Sequence, residues 1–446
     1  MSEKVIELND RAIRVGDSSG LLLHSPGFAL ADDNELHLGE KAEQQARLKP
    51  TKSYNKYWHE LNLDPIDHGN NFRHYADIAF AHLQHLSEEA DIDGDVILAV
   101  PGSFTREQLS ILLGLTNHCD FNVAGIVDSA VAASIAAARA RHVIYADIQL
   151  HQVVLTKLNI ADQQLNGGST VQIPGVGSQN FMDLMLQLAT GMFIQQCRFN
   201  PQHNANSEQQ LYNELPGWLV QAQEGNLILE LQAGTTRHTA KMPYEALVSS
   251  LNGHFKKIND QIAALATEAD TQLIVSSNLA ALPGFHASIS PSLDMLVLEP
   301  HVINDACLEY RDLITSNPDG MQWLKSLPVT ETSQAAATKP AGHDQAPTHV
   351  LYQNRAVPVG NINIENREAV NGNAMTAGAI TLSISGLPAS LGRIEKRQDG
   401  VYIDSGELEF LLNKQSVSGE RKLSVGDHLQ FTDGEDELTL IQVRDV

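Results

Sequence analysis

The chain has 446 residues, with 54 acidic residues, 30 lysines and arginines and a formal net charge of −24. So strong an acidic excess argues against nucleic acid and against anionic membrane surfaces as partners. The sequence contains neither a membrane-spanning apolar run nor a signal-peptide pattern, so we expect a cytoplasmic protein that does not insert into membranes. Its length exceeds that of one ordinary hydrophobic core, which predicts two or three domains.

Metal binding and thiol chemistry are not expected. The three cysteines, Cys119, Cys197 and Cys307, are widely spaced, and the sequence has no Cys-x-x-Cys motif and no Cys/His cluster. The 18 histidines are scattered along the chain. These patterns predict reduced thiols and no metal site.

Before residue 95 the sequence predicts one hairpin and one long helix. Residues 5–15 alternate weakly between apolar and polar side chains, which is typical of a first strand or hairpin. Residues 75–90 place Ile78, Leu83 and Leu86 at helical spacing and predict an amphipathic helix.

The central stretch, residues 95–158, predicts strands and helices in the order β-α-β-α-β-β. Thr105 stands three residues before Gln108, the spacing of a capping box that begins a helix. Ser129 is predicted to cap a second, alanine-rich helix over residues 130–140. The predicted strands are residues 96–100, 121–127, 143–147 and 153–158. This order is typical of an α/β domain with helices packed on a sheet.

The rest of the chain divides at a linker. A long helix over 244–265, a strand near 273–278 and a helix over 302–314 continue the α/β pattern. Residues 329–347 are rich in Thr, Ala, Pro and Gln without an apolar face, which predicts a flexible linker. Residues 348–446 show short alternating runs separated by turns, which predicts an all-β sandwich or barrel.

The central stretch also resembles a known family. Residues 96–138, VILAVPGSFTREQLSILLGLTNHCDFNVAGIVDSAVAASIAAA, are similar to the centre of the nucleotide-binding domain of DnaK-type heat-shock chaperones, in the actin-like ATPase superfamily. The likeness covers roughly the first three quarters of the chain, by pattern and spacing. It implies an α/β actin-like two-lobed fold over residues 1–328, with lobe I to about residue 145 and lobe II from about residue 146.

The resemblance also implies where a magnesium–nucleotide would bind. Residues near the family's catalytic positions are Glu7, Lys56, Asp128 and Asp147. Residues near its nucleotide-binding positions are Asn9, Gly175, Gly177, Ser276 and Ser277. The alternative assignments stay open for several of them: Lys56 as a surface lysine, Ser129 rather than Asp128 at the helix start, and Ser276 as a strand end.

The chain departs from the family where phosphate and adenosine would sit. The family's two phosphate loops are rich in glycine, whereas this chain has Glu7-Leu8-Asn9-Asp10-Arg11-Ala12 and Asp147-Ile148-Gln149-Leu150-His151-Gln152. Serines 276 and 277 replace the glycines that would hold the adenosine. Without glycine the backbone cannot readily approach a phosphate group.

The tail resembles a forkhead-associated (FHA) domain. The stretches SLGRIEKRQDGVYID and FLLNKQSVSGERKLSVGDHLQF are similar to that family's middle and closing strands. FHA domains hold phosphothreonine with converging cations and donors. The family's serine and histidine are missing here and its arginine is displaced, although Arg367 and Ser390 could substitute, and Asn413 keeps the family's Asn position.

Two functions follow as hypotheses. The first is a non-catalytic protein-binding scaffold or chaperone-like adaptor that needs no cofactor and engages protein partners through the FHA-like domain and the actin-like lobes. The alternative is a divergent chaperone-type ATPase that binds Mg-ATP and whose FHA domain reads phosphothreonine. Loss of glycine at three nucleotide-contacting places favours the first.

Overall fold

A computed structural model describes most of the chain, which divides into two compact units, Met1–Ala337 and Thr338–Val446. The described residues are 3–32, 35–66, 72–220, 225–268, 270–291, 293–316, 321–329, 347–352, 355–366, 380–382, 387–397, 400–406, 408, 410–412, 415–423, 427–431 and 437–441. The predicted linker, 329–347, lies outside the described residues except at its ends.

The first unit is a mixed α/β structure. Its strands are β1 Lys4–Glu7, β2 Ile13–Asp17, β3 Gly20–Ser25, β4 Ala29–Asp32, β5 Glu35–Leu38, β6 Ser53–Tyr54, β7 Asp95–Val100, β8 Asn122–Asp128, β9 His142–Ile148, β10 Gln152–Ala161, β11 Gln164–Pro174, β12 Asn226–Ala233, β13 Thr236–Pro243, β14 Thr271–Val275, β15 Asp294–Val297, β16 Trp323–Leu324 and β17 Ser326–Pro328. Its helices are α1 Glu40–Glu43, α2 Tyr75–Glu89, α3 Arg106–Thr116, α4 Ser129–Ser134, α5 Ser178–Cys197, α6 Ala205–Val220, α7 Tyr244–Leu265, α8 Ser277–Ala280, α9 Phe285–Ser288, α10 Val302–Glu309 and α11 Arg311–Thr315.

Two six-stranded sheets of this unit share one topology over five strands and differ in the sixth, which is β16 beside β8 in one and β17 beside β11 in the other. Their strand orders are β16-β8-β7-β1-β2-β3 and β15-β14-β9-β10-β11-β17. In each sheet three strands, β1-β2-β3 or β9-β10-β11, form an antiparallel meander. The first strand of the meander pairs in parallel with β7 or β14, and that strand pairs in parallel with β8 or β15. The strands β1 and β9 are therefore equivalent, and each ends in a hairpin turn.

Most predicted elements of this unit are confirmed. The apolar run of β7 is buried beyond Asp95, as expected for a parallel strand covered on both faces. The capping box of α3 is present, with the Gln108 amide donating to Thr105 Oγ1 at 3.1 Å and the Thr105 amide to Gln108 Oε1 at 3.0 Å. The helix predicted over 244–265 has those bounds as α7.

Two helix predictions are wrong in detail. Asp128, not Ser129, caps α4, because its carboxylate accepts the Ala130 amide at 2.9 Å. This helix ends at Ser134 although alanines continue, because the chain is then held by tertiary contacts such as the bond from the Arg139 amide to Gln272 Oε1. The helix predicted over 302–314 is two helices, α10 and α11, that meet at Tyr310.

The second unit is rich in antiparallel strands, as the short alternating runs of the tail predicted. Its strands are β18 His349–Tyr352, β19 Arg355–Pro358, β20 Asn361–Asn366, β21 Ile380–Leu382, β22 Ser390–Arg397, β23 Gly400–Asp404, β24 Phe410–Leu412, β25 Gln415–Val417, β26 Glu420–Leu423, β27 His428–Gln430 and β28 Glu437–Ile441. They form a six-stranded and a five-stranded sheet. Val350 and Leu440 from one sheet and Ile364 and Ile394 from the other share one apolar core.

Candidate functional site

The candidate site lies where the turns after β1 and β9 meet. Glu7 ends β1 and Asp147 stands one residue before the end of β9. Both side chains are buried, as are Asn9 and Asp10 in the first turn. The repeated sheet topology therefore brings two equivalent turns, about 140 residues apart in sequence, into contact.

Direct hydrogen bonds join the two turns. Asn9 Nδ2 donates to Asp147 Oδ2 at 2.8 Å and to the Ile148 carbonyl at 3.1 Å. In the opposite direction the Leu150 amide donates to Asp10 Oδ1 at 2.8 Å. The Leu150 backbone amide, at the contact between the turns, is thus already bound to the Asp10 carboxylate.

Glu7 is paired with an arginine. Arg14 Nη1 donates to both oxygens of Glu7, at 2.9 and 3.2 Å, and the two residues are direct cross-strand partners on β1 and β2. Burial raises the pKa of Glu7 to about 7, with Arg14 opposing the shift and the Asp147 charge adding to it. The Glu7 carboxylate is therefore engaged by a guanidinium group.

Two further carboxylates share this buried region. Burial also raises the pKa of Asp147, against hydrogen bonds from Ser276 and Asn9 and the charge of Arg14. Burial raises the pKa of Asp10 to about 7, against the hydrogen bond from the Leu150 amide. Asp10 Oδ2 is buried and has no hydrogen-bond partner within the described part of the chain. Three carboxylates thus share this region with two guanidinium groups, Arg14 beside Glu7 and Asp147, and Arg11 beside Asp10.

The N-terminus of α5 packs directly on the second turn. The Ser178 amide donates to the Gln149 carbonyl at 2.9 Å and the Gln179 amide to the Leu150 carbonyl at 3.0 Å. A Cβ on Gly177 would lie 2.3 Å from the Leu150 carbonyl oxygen, so this close approach requires glycine. Gly175 has a φ of 71° in the turn that leads to the helix.

Of the other predicted site residues, Ser276 reaches the joined turns through its hydrogen bond to Asp147, and Ser277, Lys56 and Asp128 have local roles. Ser276 caps α8, accepting the Leu279 amide at 3.4 Å, and Ser277 is the first residue of that helix. Lys56 has a side chain that is 53% exposed and pairs with Glu60 at 3.2 Å. Asp128 caps α4. Across the described residues, no hydrogen bond or ion pair links Lys56 or Asp128 to the joined turns.

A cavity of about 460 Å³ opens beside the joined turns. Its walls include Asp10 and Gln149 from the turns, Ser103 and Phe104 from the turn before α3, and Trp58 and His59. Trp58 is held in place by a core histidine, because its Nε1 donates to His82 Nδ1 at 3.1 Å. Burial lowers the pKa of His82 to about 3, so this anchor is neutral.

Sequence reasoning missed two residues of the site, Asp10 and Arg14. Arg14 could have been found, because a hairpin over 5–15 with its turn near residues 10 and 11 pairs Arg14 with Glu7. Asp10 could not, since its importance depends on a contact with Leu150 across the two sheets.

The second unit carries the predicted partner-binding residues. Ser390 begins β22, is exposed, and stands opposite Glu365 on β20. Arg367 and Asn413 lie outside the described residues.

No group of three or more His, Cys, Asp or Glu side chains within the described ranges is arranged to hold a metal ion. The helices that the structure describes are all too short or too polar to cross a membrane. No protein-family model matches this chain, and no curated protein matches it.

Proposed function

We propose that this protein is a non-catalytic protein-binding scaffold or chaperone-like adaptor. In this proposal an actin-like, DnaK-type domain that does not process nucleotide is followed by an FHA-like domain. The five-strand topology that the two six-stranded sheets share supports a two-lobed fold of that kind. The two strand-rich sheets around one core support an FHA-like sandwich in the tail.

The observation that carries the proposal is the direct joining of the turns after β1 and β9. A phosphate group needs free amide donors and cations around it. Here the Leu150 amide donates to Asp10, and the amides that begin α5 donate to the carbonyls of Gln149 and Leu150.

The charge of the site also opposes nucleotide binding. Glu7, Asp10 and Asp147 are buried together; the Arg14 guanidinium group is held by Glu7, and the charge of Arg11 acts on Asp10. A triphosphate placed at this point would meet carboxylates at short range, where the low dielectric of a buried site strengthens repulsion. Binding of Mg-ATP is therefore disfavoured by both geometry and charge.

Isothermal titration of the full chain with ATP and magnesium tests this part of the proposal. We expect no saturable heat. Saturable binding that Asp147→Asn abolishes would instead support the divergent ATPase.

The tail is proposed to bind a protein partner without needing its phosphorylation. Ser390 has a carboxylate, Glu365, as its cross-strand neighbour, and a phosphate bound there would be repelled. Two binding units on one chain raise the effective concentration of each for a shared assembly. The proposal thus assigns the protein the role of a scaffold that holds protein partners, rather than that of a catalyst.

A pull-down from cytosol before and after phosphatase treatment tests the tail. We expect the same partners in both samples, and loss of those partners when Ser390 is replaced by a bulky residue, as in Ser390→Trp. Partners that disappear after dephosphorylation, and also with Arg367→Ala, would show that the tail reads phosphothreonine.

A further inference from the structure

Strand β3 ends one six-stranded sheet of the first unit, and its outer edge is unpaired. It pairs with β2 and with no other strand of the described ranges. Among the residues described, the backbones of Leu21, Leu22 and Leu23 form no hydrogen bond to any other element. Such an edge presents N–H and C=O groups that a further strand can pair with.

The other short terminal strands differ from β3 in length. Strands of two to four residues end the remaining edges of the larger sheets and both edges of the three-stranded sheet: β5, β6, β15, β16, β17, β19, β21, β25 and β26. By contrast, β3 has six residues, GLLLHS, without a proline, lysine, arginine or carboxylate. Shortness, proline and charge are the usual protections of an edge strand, and β3 has none of them.

The two long terminal strands, β12 and β13, are capped by glutamine side chains. The Gln232 amide of β12 donates to Gln210 Oε1 of α6 at 3.3 Å. On β13 the Lys241 amide donates to Gln196 Oε1 at 2.9 Å, and the Lys241 carbonyl accepts from Gln196 Nε2 at 2.7 Å. Within the part of the chain that the structure describes, β3 is thus the long terminal strand without such a cap.

The surface along β3 is apolar and open. Leu21 is 39% exposed and Leu22 is 44% exposed. A Cβ added to Gly20 would meet no atom within 4 Å. A groove of about 550 Å³ is lined by residues 21–24 of β3 and by Pro300. An unpaired edge beside an apolar groove fits an extended segment, whose alternate side chains point into the groove.

Charge decides which extended segment fits best. The charged and titratable side chains that line the groove each pair within the protein: Arg11, Arg14, His24 and Glu40. The whole chain, however, carries a formal net charge of −24. A segment with basic flanks is therefore attracted, whereas a second copy of this chain is repelled.

We propose that β3 binds an extended apolar segment of a partner protein, flanked by lysine or arginine, as an added strand of the sheet. The backbone of residues 21–23 pairs with the segment, and Leu21 and Leu22 pack against its apolar side chains. The proposal rests on the scaffold role proposed above and gives the first unit a binding surface separate from the tail.

Fluorescence anisotropy of a labelled peptide titrated with the full chain tests the proposal. The probe is Lys-Lys-Val-Thr-Val-Thr-Val-Lys-Lys, and we expect one saturable site. A peptide of equal charge with proline as its central residue cannot continue a strand, and we expect it to bind about tenfold more weakly. A peptide with glutamates in place of the four lysines should also bind about tenfold more weakly.

Variants locate the binding edge. Leu22→Gln removes apolar surface at an exposed position, so it does not endanger the fold, and we expect it to weaken the probe about fivefold. Leu313→Gln is the matched control, because Leu313 is 49% exposed and lies on α11, away from the groove. This variant should bind the probe as the unchanged protein does.

Four results would overturn the proposal. They are the absence of saturable binding, equal binding of the proline or the glutamate peptide, unchanged binding by Leu22→Gln, and a dimer in light scattering that Leu22→Gln abolishes. The last result would show that a second copy occupies the edge. Partners that the tail still captures in the pull-down, and loses with Ser390→Trp, would leave the scaffold role standing if β3 binds no peptide.

Discussion

Replacing Asp10 by asparagine should stabilise the protein at neutral and alkaline pH. Burial raises the pKa of Asp10 from 3.8 to about 7. Below pH 3.8 the carboxyl holds its proton in both folded and unfolded chains, so its titration contributes nothing. As the pH rises towards 7, the unfolded chain releases this proton first, so folding is progressively disfavoured, and the full cost is reached above pH 7.

The size of the effect follows from the pKa difference. A rise from 3.8 to about 7 corresponds to about 4 kcal/mol. Part of that rise comes from the charge of Asp147, whose own pKa is raised, so the cost is smaller wherever Asp147 keeps its proton. The asparagine still offers an acceptor to the Leu150 amide. We therefore expect Asp10→Asn to raise the free energy of unfolding by about 2 to 4 kcal/mol at pH 8 and by less than about 0.5 kcal/mol near pH 4.

Urea unfolding followed by tryptophan fluorescence measures this change. The chain's three tryptophans, Trp58, Trp218 and Trp323, all lie in the first unit, so the signal reports that unit alone. Glu89→Gln, at an exposed position at the end of α2, is the control and should change the free energy by less than about 0.5 kcal/mol at both pH values. The reasoning would be refuted if the Asp10→Asn protein were less stable than the unchanged chain at pH 8. It would also be refuted if the substitution changed the free energy of unfolding equally at pH 8 and near pH 4.

Three other outcomes are expected. Gly177→Ala should lower the free energy of unfolding by several kcal/mol, because its Cβ would lie 2.3 Å from the Leu150 carbonyl oxygen. Gly191→Ala, with open space around it inside α5, should instead raise the free energy of unfolding by up to about 1 kcal/mol. Equal effects of the two substitutions in urea titrations would contradict this prediction. Residues 338–446 should melt cooperatively when expressed alone, because their core is their own, and a gradual thermal melt would count against an independent unit. Single-turnover assays with labelled ATP should detect no magnesium-dependent hydrolysis, and hydrolysis lost in Asp147→Asn would contradict the scaffold proposal.

Elements with strong local patterns could be predicted from the sequence. The buried run of β7, the capping box of α3 and the apolar stripe of α7 are each encoded by neighbouring residues, so their type and position follow from periodicity and capping. The alanine-rich helix α4 was predicted six residues too long. Alanine has high helix propensity, but tertiary contacts at Arg139 override it, and such contacts leave no local pattern.

The site was less predictable than the fold. The lack of glycine after β1 and β9 was visible in the sequence. The contacts between the two turns were not visible, because the bonds from Asn9 to Asp147 and from Leu150 to Asp10 join residues about 140 positions apart. Only the Glu7–Arg14 pair follows from hairpin register, which is a local property.

The charge of Asp10 requires an explanation that the joining of the turns does not supply. Asn9 shows that an uncharged amide is sufficient to connect them, since its side chain donates to Asp147 and to the Ile148 carbonyl. An asparagine at position 10 would likewise accept the Leu150 amide. The carboxylate there adds a buried charge and an oxygen without a partner in the described structure, so as a purely structural group it is destabilising. Buried groups that disfavour folding and line a cavity are typical of ligand sites.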